Sequence, residues 1–314
     1  MLGKVEMMGW NKRRLGGLVC SLLVWLLFID DSTAFGKEAN STDNTKTAAA
    51  AADGGAVPRP KNLFGDARTE FTLMTGYRTD ELDWSIAGNG VNILSELDWS
   101  DVESYHVSLA GGIQFKNNVY LRGGFNYAWI DDGTVRDSDY GEDGRGAEWS
   151  RSISETTGDQ LWDVTGGGGY SFYFLRDRFT VTPLIGLSYH KQNLRIQNGT
   201  QVMSGVNPFG GSSPPPEGPL SSQLNSTYFA RWFGPWIGFD LRFKPKTKPP
   251  VRHAMELRMS LELHWAEYYG EGNWNLRSVF RHPKSFEHDA DGFGISLTAQ
   301  WLLNKQSSDG TWME

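Results

Sequence analysis

Apolar and polar residues alternate with a period of two through most of this chain. Between Ser104 and Phe115, one face carries Tyr105, Val107, Leu109, Gly111, Ile113 and Phe115, and the other carries Ser104, His106, Ser108, Ala110, Gly112 and Gln114. Between Phe179 and Tyr189 the odd positions are apolar apart from the ring residue Pro183. Between Ala254 and Trp265, the odd positions Met255, Leu257, Met259, Leu261, Leu263 and Trp265 are all apolar, whereas the even ones include Glu256, Arg258, Glu262 and His264. A period of two with one apolar face is the signal of a half-buried strand. It predicts strands over 69–86, 90–100, 103–116, 118–131, 159–175, 178–196, 226–243, 254–271 and 289–303, so the fold class is all-β.

The charged face of 254–265 narrows the architecture. Burying an isolated charge costs several kcal/mol, so this face needs water or ion pairing. A surface strand of a soluble sandwich supplies water by turning its charges outward. An antiparallel transmembrane β-barrel supplies it with a polar interior and a lipid-facing exterior. Segments longer than ten residues, with Trp84, Trp99, Trp129, Trp162, Trp265 and Trp301 near their ends, favour a barrel of 8–10 strands. The connections agree. Asn117-Asn118, Arg176-Asp177 and the Pro-rich 244–252 are short or basic, while 131–158, 197–225 and 268–288 are long and polar. Short turns at one end and long loops at the other is the layout of outer-membrane barrels.

Composition brings in the flanks. The chain has 314 residues with a net charge of −7, which gives no basic excess for nucleic acid. Lys12-Arg13-Arg14, an apolar run from Leu15 to Ile29 and the small residues Ser32-Thr33-Ala34 read as a signal peptide over 1–34. The run falls short of the roughly 20 residues of a spanning helix, although an uncleaved anchor is the alternative. Residues 35–66 read as a disordered tether, 67–304 as the barrel and 305–314 as a polar tail. The single Cys20 lies in the leader, so no disulfide supports the folded part.

Candidate chemistry is sparse. No phosphate loop, nucleophile elbow or HExxH occurs, and the six histidines lack metal-ligand spacing. The run Gly166–Gly169 marks a place where a bulky group passes close. The stretch 118–140 stands out, because the strand Val119–Ile130 breaks into an acidic segment with Asp131, Asp132, Asp137 and Asp139, expected as a loop crowning the outer rim. Asp137 and Asp139, two apart on a strand extension, point to one side about 6–7 Å from each other. At that spacing they share a proton or hold a water, and repulsion raises one pKa. A solvated acidic loop is the competing reading.

Several short motifs resemble the omptins, outer-membrane β-barrel proteases. They are Ser95-Glu-Leu-Asp-Trp99, Gly112-Ile-Gln-Phe115 with Val119-Tyr-Leu-Arg-Gly-Gly-Phe125, Asp137-Ser-Asp139-Tyr140, and Pro235-Trp-Ile-Gly-Phe239. The resemblance implies a barrel that extends above the outer membrane, dependence on lipopolysaccharide, and an aspartyl-type endopeptidase site. In that site Asp137 and Asp139 are the catalytic pair that activates a water, and Glu81 is a further residue of the substrate groove. The family's opposing Asp-x-His falls at Asn273 and Asn275, which cannot take a proton near neutral pH, so the general base is missing. His282 or Glu271 replaces it only if the loop folds back. The resemblance therefore implies either a surface endopeptidase with altered chemistry or a catalytically inactive barrel acting as adhesin, receptor or structural protein. Expected partners are membrane lipid, lipopolysaccharide, and a peptide or host-surface protein; no metal or other cofactor is expected.

Overall fold

A computed structural model describes residues 67–246, 253–306 and 312–313. The expected signal peptide over 1–34 and tether over 35–66 lie outside the described residues. Among the described residues every strand belongs to one antiparallel sheet. Its strands are β1 (Arg68–Gly88), β2 (Val91–Gln114), β3 (Val119–Glu142), β4 (Gly146–Glu155), β5 (Gln160–Tyr170), β6 (Phe172–Phe174), β7 (Phe179–Ser204), β8 (Gly218–Pro219), β9 (Ser226–Phe243), β10 (His253–Asn273), β11 (Phe286–Gln306) and β12 (Trp312–Met313).

The wall has eight positions. β3 pairs with β4 along its upper part and with β5 along its lower part, and β7 pairs with β4, β5 and β6 on the other side. β4, β5 and β6 therefore make one wall position, interrupted at 156–159 and at Ser171. Around the wall the order is β1, β2, β3, β4/β5/β6, β7, β9, β10, β11.

Two expected boundaries move. Segments 90–100 and 103–116 are the single strand β2, whose pairing merely shifts between Ser100 and Glu103, where Asp101 takes a positive φ of 51°. A bulge inserts an extra residue without ending the ladder, so a break in alternation is not a break in the strand. The odd ninth segment disappears for this reason. The expected acidic loop at 131–158 is instead a hairpin: β3 runs on to Glu142, turns through the single 3-10 turn Asp143–Arg145, and returns as β4. The true long connections are 205–225 and 274–285, at the same end of the wall as the tight Asn89-Gly90 turn. There both central residues have positive φ, 50° and 84°, as a two-residue type I′ hairpin requires. The polar tail is also partly strand, because β11 extends to Gln306 and β12 pairs back on it.

In the lower half of the wall the odd-numbered side chains of β1, β2, β9, β10 and β11 face outward and are apolar. Phe71, Leu73, Leu109, Leu121, Ile185, Ile237, Ile295 and Leu297 are all exposed. Aromatic pairs border this belt. Tyr77–Tyr105 and Trp265–Phe293 meet edge to face at 5.7 and 5.8 Å on the upper margin, and Tyr170–Phe172 lies at 5.2 Å on the lower one. An apolar band between aromatic girdles is the exterior of a transmembrane barrel.

The lumen is filled. Trp236 is fully buried, and a Cβ placed on Gly167 or Gly186 would fall 2.6 or 2.3 Å from its indole. The glycine run is therefore the seat of that ring. Lower in the lumen, Arg122 on β3 donates to Glu262 on β10 at 2.6 Å, and these strands stand four positions apart in an eight-position wall. Glu70 on β1 bridges Arg242 on β9 and Arg258 on β10 at 3.0 and 3.1 Å. Higher up, the lumen becomes apolar. Trp84, Leu97, Trp99, Ile130, Val135, Leu161, Leu194 and Tyr228 form a buried cluster. Trp99 and Tyr228, on the diametrically opposed β2 and β9, stack with centroids 4.9 Å apart.

Candidate functional site

The outer mouth lies directly above this apolar cluster. On β2 and β3 the register sets Val135 opposite Trp99, Asp137 opposite Leu97, and Asp139 opposite Ser95. Side chains two apart share a face, so Asp137 and Asp139 continue the inward row that begins with buried Val135. They form a floor inside the mouth, not a crown on its rim. On their other side, Asp137 faces Ser152 and Asp139 faces Ser150 of β4.

Both aspartates are partly buried. Burial, with the charge of Asp139 added, pushes the Asp137 carboxyl up to about 7 against the pull of Arg277. Asp139 is also raised by burial, but less freely, because the Ser95 and Ser150 hydroxyls and the Arg277 charge favour its ionised form. Two neighbouring, partly buried carboxyls resist holding two charges at once, so the pair keeps a proton at pH values where ordinary aspartates have lost theirs.

The wall that carries them is braced. Glu96 accepts hydrogen bonds from Arg145 Nε at 2.9 and 3.1 Å and from the Tyr140 hydroxyl at 3.2 Å. Burial alone would raise the Glu96 pKa, but Arg145 and Tyr140 hold it below the usual range. The 143–145 turn is fixed from its side as well, where Asn92 N–H donates to Asp143 and Gly144 N–H donates to the Asn92 side chain, both at 2.8 Å.

The other candidate residues sit apart from the pair. Asn273 ends β10 and its side-chain Oδ1 meets His282 Nδ1 at 2.9 Å. Asn275 lies just beyond, in the 274–285 loop. Its Oδ1 accepts from Asn225 N–H at 3.0 Å and from Ser226 Oγ at 3.1 Å, and its Nδ2 donates to the Gln223 carbonyl at 2.8 Å. Asn275 thereby ties the 274–285 loop to the end of the 205–225 loop. Glu81 is exposed on β1 where pairing with β2 shifts between Asp80 and Leu82. Among the described residues no hydrogen bond or ion pair connects Glu81, Asn273 or Asn275 with Asp137 or Asp139.

The cation whose charge acts on the pair was missed. Arg277 reaches both carboxyls electrostatically from the 274–285 loop. Only the folding of that loop over the mouth brings them near, and no spacing in the sequence carries that information. Among the described residues no group of three or more His, Cys, Asp or Glu is placed to hold a metal ion.

What the mouth offers chemically is a protonatable acid pair under the charge of Arg277 and two loops tied together by Asn275. The loops also present apolar tips, with Val206 82% and Val279 85% exposed and Phe280 beside it. No curated protein matches this chain. A family model described as Pom, Protochlamydia outer membrane protein, matches residues 72–310. That match covers most of the chain and nearly the whole barrel wall with its girdles, and the chain belongs to this outer-membrane protein family.

Proposed function

We propose that this outer-membrane barrel is a surface recognition protein that binds a peptide or host-surface protein at its outer mouth and does not cleave it. The observation that carries this reading is the combination of a lumen filled at two heights with an outer end built as a braced platform. Trp99 stacks on Tyr228 across the barrel, and Arg122 pairs with Glu262 across it, so side chains bridge the lumen at two heights. Above them, Asn275 holds two loops together whose tips leave Val206 and Val279 in water. Val206 and Val279 are exposed apolar residues away from the lipid belt, where a binding partner can cover them. Lipid, with lipopolysaccharide in the outer leaflet, surrounds the belt in this reading.

A second reading, endopeptidase action of omptin type, is favoured by one observation: Asp137 and Asp139 face one side, partly buried, with raised pKa values. It is weakened by the 274–285 segment, where Asn275 serves as a structural tie and the charge that acts on the pair is that of Arg277. A guanidinium takes no proton from water.

The test uses full-length protein reconstituted with lipopolysaccharide. With a dibasic fluorogenic peptide, the expected turnover equals that of Asp139→Ala. Cleavage that Asp139→Ala abolishes would replace the recognition reading with the peptidase one. In parallel, cells displaying the Val206→Asp/Val279→Asp variant are compared with wild type for attachment to host cells. The expected result is a several-fold loss, and unchanged attachment would count against the platform.

A further inference from the structure

On the outer face of the wall, just above the lipid belt, like charges stand opposite one another on two neighbouring rungs. Lys191 on β7 is in register with Arg231 on β9, and Glu267 on β10 is in register with Asp291 on β11. Like charges directly opposite each other destabilise a sheet. Neither rung is relieved by a counter-charge. Among the described residues no ion pair within 4.0 Å involves Lys191, Arg231, Glu267, Asp289 or Asp291. Their neighbours Glu271 and Glu287, in contrast, both pair with Lys284, at 3.0 and 2.9 Å.

The unpaired charges border one cleft of about 640 Å³. Arg231 stands at one side of it, Glu267, Asp289 and Asp291 at the other, and the rings of Phe233 and Tyr269 lie between. Aromatic faces hold the cations in place without neutralising them: the Arg231 guanidinium lies 5.0 Å from the Tyr269 centroid, and the Lys191 ammonium 4.8 Å from that of Phe229. The cleft begins where the belt ends. Glu267 and Asp291 are the next outward residues above the Trp265–Phe293 pair, about 7 Å further along their strands. The headgroup layer of a bilayer is roughly 5–8 Å deep on each side of the hydrocarbon core, so the cleft opens at headgroup level. Beneath it Ile237, Phe293 and Ile295 are exposed to the acyl chains.

We propose that this cleft binds the phosphoethanolamine headgroup of a membrane glycerophospholipid, with the phosphate against Arg231 and Lys191 and the ammonium against Glu267, Asp289 and Asp291. Only a ligand that carries both charges relieves both rungs. A purely anionic headgroup would meet the carboxylates, and a purely cationic one would meet Arg231 and Lys191. The span fits as well. The Cα atoms of β9 and β11 stand about 10 Å apart, and side chains from both strands reach into the space between them. In phosphoethanolamine an oxygen and two carbons separate phosphorus from nitrogen, so the two charges reach opposite sides of the cleft. An α-amino acid carries both charges on one carbon, too close together to do so. Guanidinium is also the side chain best shaped to grip a phosphate with paired hydrogen bonds. This site lies on the side of the barrel, apart from the mouth, and stands whether or not the mouth recognises a partner.

The test is native mass spectrometry of delipidated full-length protein in detergent micelles, with palmitoyl-oleoyl phosphatidylethanolamine and phosphatidylglycerol as probes. Wild type should retain phosphatidylethanolamine several-fold more than phosphatidylglycerol. Lys191→Ala/Arg231→Ala should bring retention of both lipids to background, whereas Asp289→Asn/Asp291→Asn should abolish the preference between them. The heat-modifiable gel shift checks that each variant is folded, and the single variants Arg231→Gln and Asp291→Asn repeat the comparison if a double variant is not. Equal retention of the two lipids by wild type overturns the zwitterion, and unchanged retention in both sets of variants overturns the location. Free O-phosphoethanolamine should displace dihexanoyl phosphatidylethanolamine only at several-fold higher concentration. Displacement at equal concentration would overturn the lipid as the source of the headgroup.

Discussion

The two halves of this barrel are inside out with respect to each other. In the lower half the outer face is apolar and the lumen holds ion pairs; in the upper half the lumen holds the apolar cluster and the outer face is charged. The change happens along single strands without any change of face. On β11, outward positions read Trp301, Leu297, Ile295 and Phe293 and then Asp291, Asp289 and Glu287, while inward positions pass from Gln300 and Ser296 to His288 and Phe286. The strand geometry is constant and only the solvent outside changes, from lipid to water. What fills the lumen follows from what the outside can tolerate, because each half needs one apolar face for cohesion or lipid contact, and the polar residues take the other.

That contrast can be broken at either end. The largest effect is expected where the rings meet across the upper lumen. Trp99→Ala should cost about 3–5 kcal/mol through the cavity it leaves, read as a lower denaturant midpoint of the folded gel band. A smaller loss, about 3 kcal/mol, is expected from Arg122→Met, which takes the guanidinium from Glu262 and Asp240 in the lower lumen and leaves Glu262 with His264. The double variant Arg122→Met/Glu262→Leu should recover most of it, and if it proves no more stable than the single variant, the penalty does not come from the stranded charge.

The outer face supplies a sharper comparison within one strand. Ile295→Arg in the belt should cost about 2–4 kcal/mol of stability in bilayers, whereas Asp289→Lys, three outward positions higher, should stay within about 0.5 kcal/mol. Equal costs at the two sites would mean that the lipid boundary does not lie between them.

The smallest expected effect is in pH. The folded-state pKa of Asp137 is raised above its value in the unfolded chain, so between those two values the folded protein binds more protons. Stability should therefore fall as pH rises from about 4 to about 7, on the order of 1–2 kcal/mol once solvent at the mouth is allowed for. Asp137→Asn should flatten the profile, measured as the unfolding midpoint against pH. A profile that rises over the same window, or that keeps its fall in Asp137→Asn, would remove the burial of this carboxyl from the account.

Much of the wall could be read from residues alone. Alternation at 103–116, 178–196 and 254–271 located strands because a two-residue period survives in each strand regardless of its neighbours. The seat at Gly166–Gly169 was legible for a similar local reason: four residues without side chains leave room that something must occupy. The length of β2 was not, because the shift near Asp101 interrupts the pattern while the neighbouring strands carry the ladder across it. The hairpin hidden in 131–158 was missed since Asp137 and Asp139 look like loop residues until Ser95 and Ser150 stand beside them. The candidate site was legible only in half. Its aspartates lie close in sequence, but Arg277 and the tie made by Asn275 come from segments more than 130 residues away.

By itself, then, the sequence determined a β-rich chain with one apolar face per strand, because side-chain direction depends only on position along a strand. The tertiary structure alone decided which face meets lipid, which residues meet across the lumen, and that the charge acting on the acid pair is an arginine's. Those outcomes depend on how eight strands are staggered around one circuit, and stagger is a property of the closed wall that no single strand carries.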